Sequence, residues 1–147
     1  MNDTEHETHL VDRPPTVDEY RRLIAAVGWK PRETAAIERG LAGSCFATCA
    51  EQGGVVIGMG RVIGDGGLHY YLSDVVVEPA CQGRGIGTLI VERLNRWLES
   101  LPHDNTHVGV IAVAGSRAFY ERLGFVAQSS EGPAMGRWVN EEAPKVR

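Results

Sequence analysis

Three glycines, Gly83, Gly85 and Gly87, alternate with other residues in one short stretch of the chain. A residue without a β-carbon lets the backbone come close to a ligand. A β-branched run typical of a buried strand, 73–77, precedes the glycines, and apolar residues at helical spacing follow from Ile86. Such a loop presents free N–H groups and the positive end of a helix dipole. The spacing therefore predicts an anion site suited to phosphate.

The residues around these glycines distinguish between phosphate-binding motifs. A Walker loop ends in Gly-Lys-Ser/Thr, whereas this loop has Gly87-Thr88 and no lysine. A dinucleotide-binding fingerprint follows its strand directly, whereas residues 78–82 intervene here. The pattern Gln82-x-x-Gly85-x-Gly87, with Val77-x-Pro79 before it, instead resembles the acetyl-CoA pyrophosphate loop of the GCN5-related N-acetyltransferase (GNAT) family.

The resemblance implies acetyl-CoA as co-substrate. Backbone N–H groups of the strand before the loop would bind the pantetheine arm and the thioester, and the glycine loop would hold the pyrophosphate. The cofactor-binding residues implied in this way are Val75, Val76, Val77, Gln82, Gly83, Arg84, Gly85, Ile86, Gly87 and Thr88.

A second stretch, 118–125, reads Ala-Phe-Tyr-Glu-Arg-Leu-Gly-Phe and closely resembles the second motif of the same family, F-Y-E-K-L-G-F. In that family the tyrosine often lies near the cofactor sulfur and protonates the leaving thiolate. The resemblance therefore implies that Tyr120 is the general acid, and simple core packing is the alternative. An asparagine often precedes this tyrosine by seven residues in the family, but the corresponding residue here is Val113. The resemblance covers roughly residues 55–125.

The base that deprotonates the amine is sought among the titratable residues of the cofactor strand. Asp74 and Glu78 flank that strand, and we predict that Asp74 takes the proton directly or through a water. The alternative is that Asp74 is a structural carboxylate that accepts hydrogen bonds. His69 is a further candidate base or an ordinary strand residue. Arg61 in the preceding strand pairs with a carboxylate or touches substrate.

The predicted acceptor is the primary amine of a small molecule with an apolar or aromatic body. Trp29, Phe46, Tyr70 and Tyr71 are expected to line an aromatic slot that suits an arylalkylamine. The stretch 74–87 also resembles small bacterial and plastid acetyltransferases, among them arylalkylamine-type enzymes. The alternatives are that these aromatic residues fill the core, that the acceptor is a polyamine, an aminoglycoside or a protein amine, or that the chain is a non-catalytic acyl-CoA sensor.

The whole chain of 147 residues fits one domain, 1–147, with residues 1 to about 8 disordered. A net charge of −4 and the lack of long basic or apolar runs predict neither a nucleic-acid nor a membrane partner. Three cysteines without zinc spacing predict no metal site and, with a polar start unlike a signal peptide, a cytoplasmic protein. We also predict a homodimer, which a late strand within 125–139 could form by pairing across a two-fold axis.

The element order predicts how these residues are positioned. Strands are expected at 9–11, 44–51, 55–63, 68–77, 106–113, 125–128 and 137–139, and helices at 17–27, 31–41, 86–100 and 116–123. An antiparallel meander followed by alternating helices and strands predicts an α+β fold: a central mixed sheet with helices on both faces. The same order matches the GNAT acyl-CoA N-acyltransferase fold, in which acetyl-CoA lies where two parallel strands splay apart.

Overall fold

The computed structural model describes residues 7–127 and residue 135. Five strands form one mixed sheet in sequence order, antiparallel from the first to the fourth, with the fifth parallel to the fourth. The strands are β1 (Thr8–Val11), β2 (Phe46–Gln52), β3 (Val55–Gly64), β4 (His69–Val77) and β5 (His107–Val110). The α-helices are α1 (Val17–Ala26), α2 (Thr34–Ala42), α3 (Ile86–Glu99) and α4 (Arg117–Glu121), and a 3₁₀ turn spans Pro79–Cys81.

The chain divides into two compact units, residues 1–110 and residues 111–147. The first contains the sheet with α1, α2 and α3, and the second contains α4. The single domain over 1–147 stays a prediction.

Helices cover both faces of the sheet, which confirms the predicted fold class. The amphipathic faces of α1 and α2 bury their apolar side chains against one face. The core on that side consists of Tyr20, Leu23, Ile24, Ile37, Leu41, Cys49, Val56, Met59 and Val76.

Helix α3 lies against the other face and comes unusually close to β3. A β-carbon added to Gly60 would lie 2.6 Å from Cγ2 of Ile90 and 3.1 Å from Cδ1 of Leu94. Both side chains are fully buried. The glycine in β3 is therefore what allows α3, and with it the loop at the N-terminus of α3, to sit directly on the sheet.

The first helix begins with a capping box, Thr16 to Glu19. The Glu19 N–H donates to Thr16 Oγ1 at 3.2 Å, and the Thr16 N–H donates back to Glu19 Oε1 at 2.8 Å. Arg13 also donates to Glu19 Oε1 at 2.8 Å, and this contact lowers the pKa of Glu19 from 4.5 to about 2. A two-residue turn joins β2 to β3, and its residues Gly53 and Gly54 both have positive φ, as a type I′ turn requires.

Several predicted bounds shift in the structure. Strand β1 already includes Thr8, so the expected disorder through about residue 8 was wrong there, and residues 1–6 lie outside the described residues. Helix α2 begins at Thr34 and not near Pro31, since the backbone is still extended at its N-cap, Glu33. Strand β5 ends at Val110.

The predicted strand at 125–128 is absent from residues 125–127, and residues 128 and 137–139 lie outside the described part of the chain. The Phe125 N–H donates to the Tyr120 carbonyl at 3.1 Å and so closes the end of α4 instead of entering a strand ladder. The predicted homodimer, which relied on this segment, stays a prediction.

Candidate active site

The glycine loop has the open, uncapped geometry that an anion site needs. Gly83 and Gly85 have φ of 79° and 80°, and a β-carbon at either would meet no heavy atom within 4 Å. Gly85 is the N-cap of α3, and no side chain caps the helix. Its carbonyl accepts from Leu89, so the first N–H groups of α3, beginning at Ile86, have no acceptor within the helix. These groups fit the pyrophosphate of acetyl-CoA.

The side chains in and next to the loop make different contacts. Gln82 Nε2 donates to the Val77 carbonyl at 3.0 Å and so ties the loop to the end of β4. Arg84 is exposed, where a positive charge can approach phosphate. The side chains of Val76 and Ile86 are buried in the core, which leaves only their backbone for a ligand.

A bulge in β4 lies directly before the predicted cofactor strand. Arg61 pairs with Ser73 and Met59 pairs with Val76, so two residues of β4, Asp74 and Val75, oppose one residue of β3. Asp74 takes the left-handed conformation, with φ of 53°. As a result Ser73 and Asp74, although adjacent in a strand, line the same cavity.

Strands β4 and β5 separate at this bulge. Their parallel ladder runs from the pair His69–His107 to the pair Leu72–Val110 and ends there. Among the strands of residues 7–127, β4 pairs from residue 73 onward with β3 alone. Within the first compact unit, the backbone of Val75–Val77 therefore has no strand partner on its β5 side, as the predicted splayed strand requires.

Asp74 is held by two side chains. Its Oδ2 accepts from Arg61 Nε at 2.7 Å, and its Oδ1 accepts from the Tyr20 hydroxyl at 3.3 Å. The Asp74 and Arg61 side chains are only 15% and 16% exposed. Arg61 Nη1 also donates to the Gly40 carbonyl and to Ser44 Oγ. Of the two alternatives for Arg61, the structure shows the pairing with a carboxylate, while the role of Asp74 as base stays a prediction.

The ion pair forms part of the wall of a cavity of about 240 Å³ between the sheet and the first two helices. The cavity is lined by Tyr20, Arg32, Ala36, Ile37, Gly40, Leu41, Arg61, Ser73 and Asp74. Burial raises the pKa of Tyr20, and the charge of Asp74 raises it further, so the phenol stays protonated and donates. The cavity adjoins the cofactor strand through Asp74 and is the candidate acceptor site.

The four aromatic residues predicted to line the acceptor slot are not brought together. Phe46 stacks on Trp97 of α3 with ring centroids 5.3 Å apart, and Tyr70 packs edge-on to the same ring at 5.9 Å. Tyr70 is 2% exposed. Trp29 packs on the core beneath α1 and α2, and Tyr71 is 41% exposed beside His107. Phe46 and Tyr70 therefore lie on the α3 face of the sheet, opposite the cavity.

Tyr120 lies in α4, within the second compact unit. Its ring packs edge-on against Phe119 and Phe125 at 4.9 and 5.8 Å. Burial raises the pKa of its hydroxyl, which keeps the proton that a general acid must donate. Its role as the acid stays a prediction.

The remaining candidates have ordinary surroundings. Glu78 lies 3.7 Å from Arg22 Nη1, and His69 is an exposed strand residue whose ring is 5.7 Å from that of His107. Within 7–127 no group of three or more His, Cys, Asp or Glu side chains could hold a metal ion. None of the helices in that range is long and apolar enough to cross a bilayer.

Tyr20 and Arg32 are among the cavity residues that were not predicted as part of the site. Tyr20 falls on the apolar face of α1, so its spacing indicates core packing, and only its hydroxyl points to a polar partner. Arg32 lies in an irregular segment before α2, where periodicity carries no signal. The sequence did indicate a polar role for Arg61, because a guanidinium group inside an apolar strand needs a polar partner.

An open glycine loop at a helix N-terminus, placed after a bulged strand that leaves its parallel neighbour, is the arrangement expected from the resemblance to the GNAT fold. The sequence profile of the acetyltransferase (GNAT) family matches residues 9–125. The chain belongs to that family.

Curated relatives are longer than this chain. Serotonin N-acetyltransferase 2, chloroplastic, of Oryza sativa subsp. japonica is 31% identical over 113 residues, which are 74% of this chain and 56% of the rice protein. GCN5-related N-acetyltransferase 2, chloroplastic, of Arabidopsis thaliana is 38% identical over 72 residues, 49% of this chain and 27% of that protein. The chain thus spans about half the length of the rice relative and less of the other.

Solved structures share the fold over most of the chain. A probable acetyltransferase of unknown function, SA2161 from meticillin-resistant Staphylococcus aureus, is 28% identical, with a TM-score of 0.85 over 90% of this chain and 99% of that one. A GNAT family acetyltransferase from Brucella melitensis in complex with acetyl-CoA is 23% identical, with a TM-score of 0.64 over 90% of this chain and 93% of that one. The second likeness concerns the fold alone.

Proposed function

We propose that this protein is an N-acetyltransferase that transfers the acetyl group of acetyl-CoA directly to the primary amine of a small molecule. The observation that carries the proposal is the continuity of β4. Its bulge places Asp74 in the wall of the cavity, its next three residues have no strand partner on the β5 side within residues 7–127, and it leads into the open loop before α3.

The residues of the cofactor half fit acetyl-CoA. The backbone of Val75–Val77 would bind the pantetheine arm, and the N–H groups from Gly83 to Thr88 would bind the pyrophosphate, with Arg84 beside them. Bound acetyl-CoA supplies an acetyl group activated as a thioester. Because the loop is built from backbone and glycine, it can hold phosphate without any lysine.

Two proton transfers accompany the reaction. The amine must lose a proton before it attacks, and in this proposal Asp74 accepts it directly or through a water. Among the described residues, Tyr20 donates to one Asp74 oxygen and Arg61 to the other, and a carboxylate oxygen can accept a second bond. Tyr120, whose pKa is raised by burial, would return a proton to the departing thiolate.

The acceptor is a small molecule because the cavity is small, about 240 Å³, and partly walled by charged and hydroxyl groups. An arylalkylamine acceptor is supported by the name of the rice relative, serotonin N-acetyltransferase 2. The packing of Phe46 and Tyr70 against Trp97 gives it no support, because these rings lie on the other face of the sheet.

Thiol release from acetyl-CoA tests the proposal. The panel is tyramine, tryptamine, serotonin, spermidine, an aminoglycoside, free amino acids and a lysine peptide. We expect release above the amine-free rate with at least one small amine. Binding of acetyl-CoA without release for any member would identify a non-catalytic sensor, and release with the lysine peptide alone would overturn the small-molecule acceptor.

A further inference from the structure

We infer that Tyr20 is a positioning residue for acetyl transfer: its hydroxyl, together with Arg61, holds the Asp74 carboxylate in the orientation that accepts the proton of the amine. The inference rests on the proposed function and adds a residue to the machinery of the same cavity. It follows from the backbone at Asp74, from the donors on its two oxygens and from the burial of Tyr20.

The backbone of Asp74 is unusual for a strand residue. Among the described residues, only Asp74 and Asn105 combine positive φ with a β-carbon, and Asn105 lies in an irregular segment. A left-handed non-glycine residue is uncommon, persists only where its surroundings hold it, and is enriched at functional sites. Since this conformation belongs to the bulge that brings Asp74 into the cavity wall, the contacts of its side chain also decide where its oxygens point.

The two oxygens of Asp74 have donors on two different elements. Arg61 Nε, in the neighbouring strand β3, lies 2.7 Å from Oδ2, and the Tyr20 hydroxyl, in α1, lies 3.3 Å from Oδ1. Rotation of an aspartate carboxylate about χ2 is a soft motion, so one donor alone would let the carboxylate turn, whereas two donors on two oxygens fix its plane. Each oxygen can still accept a second bond, so an amine can reach Asp74 without displacing either donor.

Tyr20 is itself held firmly enough to serve as a fixed donor. Its ring is buried in the core against α1 and α2, and only its hydroxyl reaches the polar wall of the cavity. Burial and the charge of Asp74 raise the pKa of this hydroxyl, so it keeps the proton that it donates. Because a displacement of about 1 Å at a reacting group can cost about 100-fold in rate, a fixed donor of this kind matters for the proton acceptor.

Tyr20→Phe tests this role, because it keeps the ring and removes only the hydroxyl. Initial rates are measured with acetyl-CoA and the fastest acceptor among tyramine, tryptamine, serotonin, spermidine and the free amino acids. We expect kcat to fall about 10- to 100-fold, while KM for the acceptor stays within about threefold of the unaltered protein. A hydroxyl that bound the acceptor directly and equally throughout the reaction would instead raise KM and leave kcat unchanged.

Thr48→Val is the matched control. Thr48 Oγ1 donates to Asp12 Oδ1 at 3.1 Å, and Arg93 donates to both oxygens of Asp12, so one hydroxyl and one guanidinium hold this carboxylate as they hold Asp74. These three residues lie outside the wall of the cavity. The control should therefore lose a similar hydrogen bond and keep its kcat. Thermal unfolding shows that both variants are folded at the assay temperature.

A double-mutant cycle with Asp74→Asn shows whether Tyr20 acts through Asp74. Asparagine tolerates the left-handed backbone, and its amide oxygen can accept from Arg61 while its NH₂ group donates to the Tyr20 hydroxyl. If Tyr20 only positions the carboxylate, Tyr20→Phe should lower kcat by less than about twofold further once Asp74 is asparagine. Two residues with independent roles would instead multiply their losses.

Each outcome decides the inference. It is overturned, with N-acetyl transfer left standing, by a kcat of Tyr20→Phe within about twofold of the unaltered protein, by a raised KM with unchanged kcat, by an equal loss of kcat in Thr48→Val, or by losses that multiply in the cycle. An unchanged kcat in Asp74→Asn overturns the inference and the role of Asp74 as proton acceptor. Absence of transfer by the unaltered protein to every acceptor overturns the proposed function and the inference with it.

Discussion

Replacing Gly85 with aspartate tests the pyrophosphate site. The added β-carbon meets no heavy atom within 4 Å, so the substitution creates no steric clash in the protein itself. With φ of 80°, a non-glycine residue there costs about 1–2 kcal/mol of folding stability. The new carboxylate would also stand at the helix N-terminus, where the phosphates of acetyl-CoA belong.

The expected loss of affinity follows from the charges. Two unit charges about 5 Å apart repel by about 1 kcal/mol in water and about 3 kcal/mol at the effective dielectric of a protein surface. We therefore expect the Kd for acetyl-CoA to rise about 10- to 100-fold in Gly85→Asp, measured by isothermal titration calorimetry. Screening should make the rise smaller at high salt.

Gly28→Asp is the matched control for this experiment. Gly28 also has positive φ, 73°, and open space around an added β-carbon, but it follows α1 and lies far along the chain from the loop. It should suffer the same backbone strain and keep its affinity for acetyl-CoA. A folded Gly85→Asp variant with a Kd within about threefold of the unaltered protein would refute the assignment of the loop, as would an equal loss in the control.

Three further predictions concern catalysis and stability. Tyr120→Phe should lower kcat about 100- to 10,000-fold in steady-state assays, because it removes only the hydroxyl of the proposed acid; a kcat within a few-fold, with chemistry rate-limiting, would leave Tyr120 a packing residue. Glu19→Gln should lower the free energy of unfolding by on the order of 2 kcal/mol at pH 7, because Arg13 lowers the pKa of Glu19 to about 2 in the folded protein. The stabilisation by the charged carboxylate is present above the unfolded pKa of 4.5 and is lost as the pH falls towards 2. If urea unfolding gave the same difference between the two proteins at pH 7 and at pH 2, this explanation would be wrong. Gly60→Ala should lower the free energy of unfolding by about 1–3 kcal/mol, because the added methyl group would press on Ile90. Gly67→Ala has open space around the added methyl group, so its free energy of unfolding should lie within about 0.5 kcal/mol of that of the unaltered protein. Equal unfolding midpoints for the two variants would refute the close approach of α3.

Local signals predicted much of the fold. The capping box of α1 and the Gly53-Gly54 turn depend on residues a few positions apart, so their sequence patterns suffice to identify them. The loop around Gly85 was predictable for the same reason. The bounds of α2 and β5 depend on tertiary contacts and shifted accordingly.

The acceptor site was harder to predict from the sequence than the fold. Tyr70 and Tyr71 are neighbours in one strand, and successive strand residues point to opposite faces, so they could not line one slot without a bulge between them. The bulge lies instead at Asp74, where a single aspartate in the left-handed conformation interrupts a β-branched stretch and no glycine or proline stands beside it. The cavity also joins residues far apart in the chain, such as Tyr20 and Asp74, which no local pattern relates.

The central claim, direct acetyl transfer to a small primary amine, is tested most directly by following the acetyl group itself. The full chain is incubated with acetyl-CoA labelled with ¹³C in the acetyl group and, in turn, with each small amine and amino acid named above. The products are separated, and their masses are measured by mass spectrometry. We expect a labelled N-acetyl product formed in step with free CoA for at least one acceptor, and greatly reduced product in Gly85→Asp at low acetyl-CoA. Bound acetyl-CoA with no labelled product from any acceptor would contradict it.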